Sequence, residues 1–112
     1  MLYYMKGENY PKSCTVWRMP VGGGSEERVL DQVECQAQWA VGERGVYYIS
    51  LPIQNGRREI RLYEFATGRT SVITEIDREV EKRLAVSPDD TTLLFTQLDQ
   101  SGIDLMLVEN FR

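Results

Sequence analysis

Val46-Tyr47-Tyr48-Ile49 is the stretch whose reading decides the fold, because its pattern occurs three times along the chain. Leu2-Tyr3-Tyr4-Met5 precedes it, and Leu93-Leu94-Phe95-Thr96 follows in looser form. Each copy is trailed at a similar distance by a second apolar run. These runs are Thr15-Val16-Trp17-Arg18-Met19, Glu59-Ile60-Arg61-Leu62-Tyr63 and Asp104-Leu105-Met106-Leu107-Val108. Turn-forming segments lie between the members of each pair: Gly7-Glu8-Asn9-Tyr10-Pro11, Gln54-Asn55-Gly56-Arg57 and Gln100-Ser101-Gly102. Gly24 and Gly68 hold equivalent places after the second run, and the repeat period is 44 to 47 residues.

Runs this short, rich in Val, Ile, Tyr, Leu and Thr and bounded by Gly, Pro, Asn or Asp, are strand and hairpin signals. Helical periodicity is thin. Thr74 to Leu84 carries charge nearly all round, which allows one helical turn at most. Four short strands in a period of about 45 residues is the arithmetic of a β-propeller blade. The expected fold is therefore all-β, an incomplete propeller of about two and a half four-stranded antiparallel blades in one domain spanning residues 1–112. Counting strands outwards from the centre, a partial blade at 2–30 supplies its second, third and fourth strands. A full blade occupies 36–76. A partial blade at 82–109 supplies its first, second and third strands.

Val86-Ser87-Pro88-Asp89-Asp90, followed by Thr91-Thr92-Leu93-Leu94-Phe95, resembles the Trp-Ser-Pro-Asp-Gly signature of TolB-type, WD-like propellers. In that family the signature closes the innermost strand and turns into the second. Trp39-Ala40-Val41-Gly42-Glu43-Arg44-Gly45-Val46 holds the same place 47 residues earlier in degraded form. Ser101-Gly102-Ile103-Asp104-Leu105-Met106 is similar to the family's Gly-x-x-Asp-Ile-Tyr hairpin. The resemblance covers the whole chain and implies the tail end of a larger propeller gene, as in bacterial TolB-like proteins and membrane-bound Ser/Thr kinases with a propeller sensor. Asp90 departs from the pattern. It stands where the family's turn carries glycine, at a position that wants a positive φ.

Composition narrows the functions. The chain has 112 residues and a net charge of −4, with 17 acidic against 13 basic residues. Nucleic acids and anionic membranes need a basic face, so neither is an expected partner. The cluster Arg57-Arg58-Glu59-Ile60-Arg61 reads as outward residues on a strand and its turn. No apolar run approaches the roughly 20 residues of a membrane-spanning helix, and no secretion signal is visible. The chain as written is expected to be soluble and cytoplasmic, a parent protein being periplasmic or membrane-attached. Histidine is absent, which removes every histidine-based catalytic pair and histidine metal site. Cys14 and Cys35 lie 21 residues apart, and free thiols are the default for a cytoplasmic chain, with a bridge between neighbouring strands left open. Val21-Gly22-Gly23-Gly24-Ser25 lacks the Lys-Ser/Thr of a phosphate loop and reads as a hairpin turn.

Incomplete blades leave flat apolar faces and strand edges, and edges pair readily with another chain. A homo-oligomer, dimer or trimer, is the expected partner arrangement. Its function is expected to be that of an interaction or scaffold module, with a protein or peptide ligand at the channel face. The loops Asp31–Cys35 and Asp77–Glu81 belong to that face, together with Glu8 and Asp99. The alternative is a small, promiscuous, metal-dependent hydrolase of esters or phosphoesters at the channel mouth or a subunit boundary. For it, the candidate catalytic residues are Cys35 and Glu81, and the candidate ligands of a divalent metal ion, zinc included, are Glu34, Cys35, Glu79 and Glu81. The competing reading of these acids is that they are solvated loop residues on an acidic protein.

Overall fold

A computed structural model describes residues 1–10, 12–35, 39–76, 80–99 and 102–109. Their ten strands form three antiparallel sheets. The first holds β1 (Leu2–Asn9), β2 (Ser13–Met19) and β3 (Glu27–Val33) in sequence order. The second is a four-stranded meander of β4 (Trp39–Val41), β5 (Gly45–Ile49), β6 (Arg58–Glu64) and β7 (Thr70–Ile76). The third holds β8 (Val80–Val86), β9 (Thr92–Asp99) and β10 (Gly102–Glu109). This is the incomplete propeller that the repeat implies: one full blade and two three-stranded ones. Over the stretch where one helical turn was allowed, the described residues are strand, in β7 to Ile76 and in β8 from Val80. A 3-10 turn at Gln54–Gly56 joins β5 to β6.

The chain divides into two compact units, residues 1–35 and 36–112. In the second unit, strand alternation decides what is buried. Tyr47 pairs with Leu62 and Ile49 with Ile60, so all four side chains leave the second sheet on one face. Across from them, Phe95 pairs with Leu84 and Met106, and Leu93 with Val86 and Val108, on one face of the third sheet. The two faces form a shared core of Tyr47, Ile49, Ile60, Leu62, Ile76, Leu84, Leu93 and Phe95. Fully burying one such aliphatic side chain stabilises the fold by about 1.5–3 kcal/mol. The first unit has its own smaller set of buried apolar side chains: Cys14, Val16, Leu30 and Val33.

Candidate functional site

The turn between β8 and β9 is built by hydroxyl and carboxylate groups. The Asp90 amide donates to the Ser87 carbonyl at 3.0 Å, closing the turn. Ser87 Oγ accepts from the Thr92 amide at 3.0 Å. Ser87 and Thr91 hydroxyls each donate to Asp89 Oδ1 at 2.7 Å. Those donations, Thr91 first, hold the Asp89 carboxyl below the usual aspartate range.

Asp90 itself turns inward, 1% exposed and with φ at +57°. Its Oδ1 accepts the Glu43 amide at 3.0 Å, and its Oδ2 accepts the Arg44 amide at 3.0 Å and the Tyr47 hydroxyl at 2.8 Å. The departure from glycine is thereby explained. A left-handed Asp costs about 1–2 kcal/mol, whereas each hydrogen bond to a charged group contributes about 1.5–3 kcal/mol. Three bonds to one carboxyl group offset the backbone strain and compensate the cost of burying it. The carboxylate locks the β4–β5 turn to the β8–β9 turn, so its role is structural.

In the first unit the two cysteines form a disulfide, with their Cα atoms 5.1 Å apart, and the expectation of free thiols is corrected. The β2–β3 register supplies the reason. Cys14 stands opposite Val33, and Cys35 follows two residues later, which is within the usual 4.4–6.8 Å reach of a bridge. In this oxidised state Cys35 offers no thiolate to a substrate or a metal. Such bridges persist in oxidising compartments and are rare in the cytosol, so the bridge and a cytoplasmic placement pull in opposite directions. No helix among the described residues is long and apolar enough to cross a membrane.

Of the other residues singled out from the sequence, Glu34 is half-buried just after β3, beside the bridge. Glu79 lies outside the described residues. Glu81 lies in β8, and Glu8 and Asp99 in β1 and β9, with their side chains outside the described part. Among the described residues no group of three His, Cys, Asp or Glu side chains is placed to hold a metal ion.

The structure adds a feature that sequence reasoning missed. An open cleft of about 480 Å³ lies at the end of the second sheet where Asp90 holds the β4–β5 turn, lined by Glu43, Arg44, Glu64, Phe65 and Ala66. Arg44 Nη2 donates to Glu64 Oε2 at 3.2 Å, and the Thr67 hydroxyl donates to Glu64 Oε1 at 3.0 Å. Glu43 adds a second carboxylate beside that pair, so the lining carries one net negative charge next to the Phe65 ring. The β4–β5 turn belongs to the degraded signature at 39–46, but the cleft arises only where that turn meets the β6–β7 turn, which carries no motif. The basic cluster beside β6 is likewise matched by acids: Arg61 bonds Glu59 at 2.6 Å, and Arg57 lies 3.9 Å from Glu75.

No family model matches the chain, and no curated protein does. Among solved structures it is similar to TolB from Acinetobacter baumannii, with a TM-score of 0.72 and 21% identity over 96% of this chain. The match covers 27% of that protein, so the chain spans about a quarter of TolB's length. At this identity the likeness concerns the fold: this chain folds as a fragment of a TolB-like β-propeller.

Proposed function

We propose that the 112-residue chain is an interaction module that self-associates through surfaces its own strands leave uncovered. One observation carries the reading. Measured against the complete second blade, β1 has no first-strand neighbour and β10 no fourth-strand neighbour among the described residues. Each is eight residues long, and an uncovered strand of that length is a template for another chain. A ring assembled in this way would gather the end of β3 and the Glu34–Cys35 segment after it from several copies at one channel mouth, where a protein or peptide ligand would bind.

A dilution series on a sizing column with light scattering tests the reading. The mass is expected to exceed the 12.9 kDa of one chain at micromolar concentration and to fall on dilution. A mass of one chain at every concentration would overturn it. A chromogenic ester or phosphotriester assay with and without chelator separates this module from the alternative of a metal-dependent hydrolase. Chelator-sensitive turnover that is lost on Glu34→Gln would favour the hydrolase.

A further inference from the structure

The cross-strand pair Tyr47 and Leu62 is buried to 0% and 1% beneath the third sheet. By the repeat, its equivalent in the last blade is Leu94 and Leu107. These two also pair directly across strands, yet they are 37% and 52% exposed. Ala85, paired with Leu94 on β8, extends the row and is exposed too. One sheet face thus repeats the pattern of a blade-covered face and has no cover among the described residues.

The kind of cover can be read from the interface inside the chain. What lies on Tyr47 and Leu62 is the opposite face of the next blade, formed by the pairs Leu93–Val108 and Phe95–Met106. Their equivalents in the first blade are the pairs Leu2–Met19 and Tyr4–Trp17. Leu2 is 53% exposed, and the other three are half-buried. That face is apolar at one end. At the other, the Lys6 ammonium lies 4.2 Å from the centre of the Trp17 ring.

We infer that the Leu94–Leu107 face of one copy receives the Leu2–Trp17 face of a second copy, as the second blade receives the third within one chain. The inference rests on the self-association reading and names the surfaces that carry it. The contact is head-to-tail, so it closes into a ring or runs on as a filament. Two copies bring six sheets, inside the four to eight of complete propellers, and three copies exceed that range. A closed dimer is the assembly that follows.

Two single variants and their mixture test this. Leu107→Glu damages one face and Leu2→Glu the other. Each alone is expected to raise the dissociation constant about a hundredfold, because both contacts of the ring lose a buried leucine. Mixed in equal amounts, the two variants are expected to recover dimers, since one contact then joins two undamaged faces. Val72→Glu, at an exposed position of β7, is the control and should leave the dimer intact. Circular dichroism confirms that each variant keeps its strands. If a variant loses them, Leu107→Gln and Leu2→Gln replace the pair with the same expected pattern. An associated wild type whose Leu107→Glu and Leu2→Glu variants also stay associated would overturn this interface and leave self-association standing, by edge pairing. A monomeric wild type would overturn both.

Discussion

A methyl group on Gly42 would stand 2.5 Å from Oδ2 of Asp90, so the glycine of one blade and the carboxylate of the next fit only as a pair. The close approach follows from the carboxylate accepting both amides that come after Gly42. Gly42→Ala is expected to cost about 1–3 kcal/mol through overpacking. In an Asp90→Gly background the same change should cost less than about 0.5 kcal/mol, because the clashing group is gone. Urea unfolding of the four chains of this cycle measures the coupling. Equal costs in both backgrounds would show that the two residues do not meet.

Asp90→Gly by itself relieves the left-handed backbone but strands two amides and the Tyr47 hydroxyl. We expect a net loss of about 3 kcal/mol. Tyr47→Phe should lose about 1–2 kcal/mol, since only one of the three bonds disappears. A stabilised Asp90→Gly chain would mean that strain, and not hydrogen bonding, dominates this turn.

The Cys14–Cys35 bridge closes a loop with a sequence separation of 21 residues. Its removal is expected to cost about 3 kcal/mol. The loss should fall on the first unit. Trp17 fluorescence in a Trp39→Phe chain follows that unit, and its unfolding midpoint should drop under reducing conditions. Core residues of the second unit, such as Ile60 and Leu93, should keep their hydrogen-exchange protection. A uniform loss across both units would contradict the assignment.

Tyr4 donates to Glu26 Oε1 at 2.7 Å, and Lys6 holds the other oxygen at 2.6 Å. The bond to Glu26 is the main reason the Tyr4 hydroxyl is pushed up to about 12 from 10.0. The folded value lies above the unfolded one, so this contribution to stability is complete below pH 10 and is lost as pH rises towards 12. The difference in tyrosinate absorbance between the wild type and Tyr4→Phe isolates this group. Glu26→Gln should bring its titration back towards 10.0. A Tyr4 titration unmoved by that change would contradict the pairing.

The fold was legible because a period-2 apolar pattern inside a 44–47-residue period is a global signal, written three times. Asp90 shows the limit. From the sequence it is a flaw in a turn, and only the juxtaposition of two turns 47 residues apart turns it into a clasp. The disulfide was hidden for a related reason. Its spacing says nothing until the β2–β3 register places Cys14 beside the end of β3. The cleft around Arg44 and Glu64 depends on the signature turn at 42–44 meeting the β6–β7 turn, a juxtaposition that no motif announces. Of the candidate acids, Glu34 is placed next to the bridge, but no described geometry assembles a reactive group around it. Carboxylates on loops carry no spacing rule, so the sequence could nominate them without assembling them.

The most direct test of the central claim is the mass of the native chain at sedimentation equilibrium across the micromolar range. We predict a dominant species at twice the 12.9 kDa of one chain, dissociating on dilution and shifted to the single-chain mass by Leu107→Glu. A native chain that sediments as one 12.9 kDa particle at every concentration would contradict it.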